Sequence, residues 1–174
     1  MEMVQSIHLT RNTARAYVEK LSRGCNACGH CCRYGSGYVV KEDIERISGY
    51  LGITQEEFVK SCLELVERFA TKIYKIKTDK SGKPYGSCIF FRPNACIIHD
   101  VKPLHCRLAT GCGEYGQQLS LWFMLNHFVN PHNPESIRQY ALYLKTHPTL
   151  PGGELHELIP DKERLRKILN YEIL

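Results

Sequence analysis

Apolar residues recur at helical spacing along much of the chain. Ala14, Tyr17, Val18 and Leu21 share one helical face and Gly24 follows as a stop, which predicts a helix ending just before the first cysteines. A loop from Gly24 to Gly37 comes next. Ile44, Ile47 and Leu51 mark a second helix, closed between Gly49 and Gly52. Thr54 and Glu57 form a capping-box pair at the head of a third, whose stripe is Phe58, Cys62, Leu65, Val66 and Phe69. That stripe puts Cys62 on a core face. Lys72 to Lys77 alternates like a strand and leads into a turn signalled by Asp79, Ser81, Gly82 and Pro84. Cys88-Ile89-Phe90-Phe91 and Cys96-Ile97-Ile98 are short apolar runs separated by Arg92-Pro93-Asn94-Ala95, which predicts a small hairpin with a cysteine at each strand start. Leu119 to Val129 reads as a helix. Asn133 as cap and Pro134 at the first helical position open another, with Ile137, Tyr140, Ala141 and Leu144 inward, and Asp161 to Tyr171 supplies the last.

The expected fold is therefore α+β and α-rich: a single domain over residues 1–174, with helices packed around a cysteine-bearing metal loop and small β-hairpins. Its motif core is 24–112, followed by a helical extension over 113–174. A chain of 174 residues, 43% hydrophobic and 24% charged, has the length and composition of a soluble domain with its own core. No apolar run approaches the roughly 20 residues of a membrane helix. The opening Met1-Glu2-Met3-Val4-Gln5-Ser6 lacks the basic patch and apolar stretch of a secretory leader, which predicts a reducing, cytoplasmic setting. Net charge is +5, but the Lys and Arg residues are scattered, and only Lys162 to Lys167 is dense. A solvated helix face accounts for that stretch, and neither a membrane nor a nucleic-acid partner is expected.

The nine cysteines change the picture. In a reducing compartment they read as metal ligands or reactive thiols rather than as a disulfide framework. Cys25, Cys28, Cys31 and Cys32 spell C-x2-C-x2-C-C, whose two-residue gaps let successive sulfurs turn towards one centre in zinc and iron–sulfur sites alike. As core residues they would be small hydrophobes, but four thiols within eight residues among Gly, His and Arg form no core stripe. Neighbouring side chains usually point apart, so Cys31 and Cys32 suit two sites, or one ligand beside a supporting thiol. Cys88, Cys96, Cys106 and Cys112 bring the candidate ligands to eight, enough for two four-thiolate sites, with Cys62 left in the core. A zinc ribbon would show a second C-x2-C knuckle, which is absent, whereas C-x2-C-x2-C with a remote later cysteine is a ferredoxin-like way to hold a four-iron cluster. The C-x2-C-H of a c-type haem and the C-x3-C-x2-C of radical S-adenosylmethionine enzymes do not occur. His30, His99 and His105 adjoin the proposed ligands as supporting donors, and Arg33, Lys102 and Arg107 are cations able to offset thiolate charge. Phe90, Phe91, Ile97 and Ile98 could wall the centre from water.

From Gly24 to Arg107 the chain resembles the YkgJ-type cysteine-cluster family, which carries a zinc- or iron-chelating C-x2-C-x2-C-C domain. The shared features are the C-x2-C-G-x-C-C start, the Glu42-Asp43-Ile44 helix, the Leu51-Gly52-Ile53-Thr54 turn, and three later blocks at Cys88-Ile89-Phe90, Cys96-Ile97-Ile98-His99 and Pro103-Leu104-His105-Cys106-Arg107. Lys102, His99 and Leu108-Ala109 depart from the family's Arg, Tyr and Tyr-Pro. The resemblance implies eight ligand cysteines, carried here by Cys25, Cys28, Cys31, Cys32, Cys88, Cys96, Cys106 and Cys112. It also includes a flagellin lysine methylase, so it allows methyl transfer, for which this chain shows no glycine-rich nucleotide loop. The favoured reading is one or two [4Fe–4S] clusters in an electron-transfer or accessory protein with a protein redox or maturation partner. Structural Zn acting through a partner-binding surface is the alternative, and a cluster-dependent enzyme the third.

Overall fold

The computed structural model describes residues 8–22, 24–93, 95–108 and 111–174. The stretch read for a leader, residues 1–7, lies outside the described residues, as do Asn94 and Ala109. In chain order the elements are α1 (Arg15–Leu21), α2 (His30–Tyr34), β1 (Tyr38–Val39), α3 (Lys41–Leu51), α4 (Gln55–Cys62), β2 (Leu63–Arg68) and β3 (Thr71–Ile76). Then come β4 (Thr78–Asp79), β5 (Ser87–Cys88), β6 (Phe91–Arg92), β7 (Ala95–Cys96), a 3-10 turn over His99–Val101, α5 (Leu104–Arg107), α6 (Gly116–His127), α7 (Pro134–Leu144), α8 (Leu155–Leu158) and α9 (Lys162–Leu169). The architecture is α+β and helix-rich, with a three-stranded antiparallel sheet ordered β1-β3-β2 and two small two-stranded sheets, β4-β5 and β6-β7. No helix among the described residues is long and apolar enough to cross a membrane.

Local chemistry sets the helix ends where the sequence signals them. Thr54 Oγ1 accepts from Glu57 N at 3.1 Å to open α4, and Asn133 Oδ1 accepts from Glu135 N and Ser136 N to open α7 behind Pro134. Gly52, at φ +69°, closes α3 in the left-handed conformation that glycine adopts without Cβ strain. Helix α6 is apolar nearly all round: Leu119 and Leu121 to Leu125 are all buried, as expected of a central helix. It packs in a core with Leu104, Leu108, Phe128, Ile137, Tyr140 and Ile168, and Trp122 Nε1 donates to Thr13 O at 3.0 Å to tie the N-terminal segment to it. A second core holds Val39, Ile47, Phe58, Leu63, Ile76, Cys88, Phe90 and Ile98. The cysteine-bearing segments straddle the two, since Cys88 belongs to the second and Leu104, at the head of the Cys106 helix, to the first.

Two expectations are corrected. The third helix does not run on through Leu65, Val66 and Phe69; it ends at Cys62, and Leu63–Arg68 forms β2, paired residue for residue with β3 from Leu63↔Ile76 to Arg68↔Thr71. Leu65, Val66 and Phe69 satisfy a helical stripe and a strand equally, and long-range pairing decides between them. The connecting turn is only Phe69-Ala70, both at positive φ (49° and 51°), the geometry of a tight hairpin turn usually marked by Asn or Gly. The expected Cys88/Cys96 hairpin is divided. Phe91–Arg92 pairs with Ala95–Cys96, but Cys88 lies on β5 and faces Thr78 of β4 across the turn read at Asp79–Pro84. Cys62 is partly buried against the second core, as its place on the stripe suggested.

Candidate metal centre

The loop after α1 reverses at Gly29, whose φ of +72° starts α2 from a left-handed cap. The ring of Phe91 lies against its Cα, so that a Cβ there would stand 2.6 Å from the ring. This close approach lays α2, with Cys31 and Cys32, over β5, the strand that carries Cys88. On the far side, Gly37 lets Cys106 in: a Cβ at Gly37 would clash with the Cys106 sulfur and press on Pro103 Cγ at 3.3 Å. Ser36 Oγ donates to Ile76 O and fixes this corner to β3.

Cys106 sits on the four-residue helix α5, which is tied to α3 by one carboxylate. Asp43 is fully buried; its Oδ2 accepts from Val40 N at 3.1 Å and from Leu104 N at 3.0 Å, and its Oδ1 takes Arg46 Nη2 at 2.5 Å. Val40 has no side-chain acceptor, so Asp43 supplies the acidic half of a capping box for α3 and caps α5 at the same time. Arg46 also donates to Lys102 O at 3.0 Å, and Ser22 Oγ donates to Arg107 O and Leu108 O, so the strap around Cys106 is held from both sides.

These elements enclose a cavity of about 100 Å³ lined by Cys25, Cys31, Cys32, Cys88, Cys96, Cys106 and Cys112. Seven of the eight candidate cysteines thus face one space, from segments up to 87 positions apart (25 to 112). Cys28, exposed, does not line it, although its charge is felt at Cys112; Cys62 lies elsewhere. Among the described residues no three His, Cys, Asp or Glu side chains already form a shell for a single ion; the thiols are spread round the wall. Cys31 and Cys32 do not point apart. Helical residues one position apart diverge by about 100°, less than the 180° of a strand, and both thiols reach the cavity.

The electrostatics are those of packed thiols. A hydrogen bond from Cys32 brings Cys31 down to about 6, and the same bond, with burial, pushes Cys32 up. Burial raises Cys88 to about 11 and also raises Cys96 and Cys106, which repel one another as thiolates. Lys102 opposes that rise at Cys96 and Cys106, so it is the expected compensating cation. Arg33 instead lies over the Phe91 ring at 5.7 Å, and Arg107 turns to Glu19 at 3.0 Å. His99 and His105 line the cavity, whereas exposed His30 packs on Tyr34. Burial holds His105 near 4, a neutral imidazole wedged edge-on to Tyr38 and Phe123. The dry wall is Ile76 and Ile98; Phe90 is in the core against Phe58, and Ile97 is exposed. Sequence reasoning missed Gly37, which carries no motif, and the structural part of Asp43, whose signal was the position three residues beyond Val40.

The donor set fits a thiophilic metal, because soft thiolates select zinc, copper(I) and iron–sulfur centres. A Methanocaldococcus jannaschii protein, "Uncharacterized protein MJ0661", is 29% identical over 113 residues, 62% of this chain, which spans 57% of that relative's length. No solved structure matches the chain. The family model CxxCxxCC, described as "Putative zinc- or iron-chelating domain", matches residues 24–123, more than half of the chain and all eight candidate cysteines, and the chain belongs to that family.

Proposed function

We propose that the cavity holds an iron–sulfur cluster of the [4Fe–4S] type and that the protein acts as an electron carrier or cluster-dependent accessory. One observation carries this reading: seven thiols surround a space of about 100 Å³. A site needs only about 10–15 Å³ of such space to take one water. A single tetrahedral ion would draw four thiolates to within about 2.3 Å and leave no such void, whereas a polynuclear core fills it. Cys25, Cys31, Cys32, Cys88, Cys96, Cys106 and Cys112 would supply the ligands, with Cys28 at the outer edge. When bound, the cluster would supply one-electron chemistry; Ile76 and Ile98 keep its surroundings apolar, and Lys102 offsets its negative charge. Because bound thiolates must lose their protons, the buried thiols release protons on loading.

Structural zinc is the second reading, favoured by the family's description and by the same donor set. Iron, acid-labile sulfide and absorption are to be measured on protein purified without oxygen. Iron with matching sulfide and a visible thiolate-to-iron band is expected. Zinc without sulfide, in a colourless protein, refutes the cluster.

A further inference from the structure

Charge is unevenly placed in this chain. From Gly24 to Val40, from Lys80 to His99 and from Val101 to Gly113 there is no Asp or Glu. Six of the 23 Lys and Arg lie in these site-bearing segments, while elsewhere 17 basic residues face all 18 acidic ones, so the net charge of +5 originates around the cysteines. The cations that appear scattered along the sequence are gathered by the fold. Lys102 faces the thiols and Arg107 is paired with Glu19, but Arg33, Lys80, Lys83 and Arg92 are exposed, and among the described residues none of these four pairs with a carboxylate.

Arg33 and Lys83 lie beside two exposed tyrosines that touch each other, with Lys80 in the same turn as Lys83 and Arg92 on the next hairpin. Arg33 of α2 lies over Phe91, whose neighbour Arg92 projects from the next hairpin and donates to Ile89 O at 2.7 Å. Tyr34 meets Tyr85 at 5.6 Å, and Lys83 Nζ stands 5.8 Å from the Tyr85 ring. Lys80 closes the same turn through its carbonyl, which accepts from Lys83 N. Asp79, at the border, is engaged by Ser81. The exposed thiols Cys28 and Cys31 belong to the segment that carries Arg33 and Tyr34, so whatever docks here approaches the centre's outer edge. Offsetting thiolate charge does not explain the outer cations, since Lys80, Lys83 and Arg92 do not line the cavity.

Resting on the cluster reading above, we propose that this face is the docking surface for an acidic one-electron carrier protein. An unopposed basic rim with exposed tyrosines suits an acidic protein surface, because charge complementarity steers encounter and tyrosine is enriched at protein interfaces. The two tyrosine rings are inclined at 58° to each other, so they form no coplanar platform for successive bases. The reaction is outer-sphere: the reduced carrier loses one electron, the cluster gains it, and no bond forms or breaks.

The test uses iron-loaded full-length protein whose iron and sulfide have been measured, with an acidic plant-type ferredoxin as the carrier probe. Electron transfer should be at least about tenfold slower at low salt in K80E/K83E, and the wild-type rate should fall towards the variant's as salt rises. R92E is the second variant and should act in the same direction, while dithionite reduces all forms alike. A sample without iron refutes the cluster reading itself. A cluster that dithionite reduces, but whose ferredoxin rate ignores both salt and charge reversal, overturns the docking surface alone. A single-stranded oligonucleotide that binds this face more tightly than ferredoxin does also overturns it.

Discussion

Replacing Asp43 by alanine tests how the Cys106 strap is held. The carboxylate is fully buried and accepts from two backbone donors, Val40 N and Leu104 N, that have no other acceptor among the described residues. Each buried N–H left unsatisfied costs about 1–3 kcal/mol. Arg46 loses a counter-charge too but keeps about a third of its side chain in solvent (34%) and can rehydrate, whereas Arg107 Nη2, buried without a hydrogen-bond partner, loses the carboxylate that stands 3.9 Å away. The expected loss is about 3–4 kcal/mol, a large part of a stability of about 5–15 kcal/mol. Asp43→Asn keeps an acceptor oxygen but gives up the charge-assisted bonds, and should lose about 1–2 kcal/mol. Chemical denaturation of the metal-free protein measures both losses as midpoint shifts at constant slope. Alkylation with peptide mapping supplies the site-specific reading: Cys106 should react faster in the variants while Cys62 does not. If Asp43→Ala shifts stability by less than about 1 kcal/mol and leaves Cys106 as slow as before, the double cap does not hold the strap.

Four further outcomes follow from the same geometry. Gly37→Ala places a methyl group on the Cys106 sulfur, and iron per chain should fall by more than half; full retention would mean that Cys106 is dispensable. Cys88→Ala should lose metal and Cys62→Ala should keep it, because only Cys88 lines the cavity; equal metal content in the two variants contradicts that assignment. Burial holds His127 below the ordinary imidazole value of 6.5, so its neutral form contributes stability above that pH which is lost as the pH falls. Denaturation midpoints measured from pH 8 down to 5 should therefore decline, and less steeply in His127→Leu; an unchanged slope sinks the idea. Gln139→Ala removes the acceptor of Ala70 N–H at 3.0 Å and should cost about 1 kcal/mol, appearing mainly as faster unfolding; slower refolding at an unchanged unfolding rate would contradict it.

The site was far more legible in the sequence than the scaffold that assembles it. Cysteine spacing is a local, chemically specific pattern, and Cys25 to Cys32 with the later blocks named eight thiols, of which the fold gathers all but Cys28 round one cavity. The capped helices were also readable, since Thr54, Asn133 and Asp161 act within three residues of themselves. What escaped depends on partners distant in sequence. Leu63–Arg68 is a strand only because β3 pairs with it, and Cys88 left the expected hairpin because Thr78 claimed it. Asp43 on a helix looks like an ordinary solvated charge until Leu104, 61 residues on, donates to it. Local pattern also split the Cys31–Cys32 pair, which a single helical turn reunites on one wall.

The two-residue turn Phe69-Ala70 bears on how the protein is made. Neither residue favours positive φ on its own, and the turn is gripped by the later part of the chain: Gln139 accepts from Ala70 N and Asn133 donates to Ala70 O. During synthesis every cysteine, through Cys112, precedes both clamping side chains, so the sheet that backs the cavity at Ile76 lacks its clasp while the thiols are already out. The β2–β3 hairpin therefore gains its clasp late, only after Asn133 and Gln139 have been added to the chain.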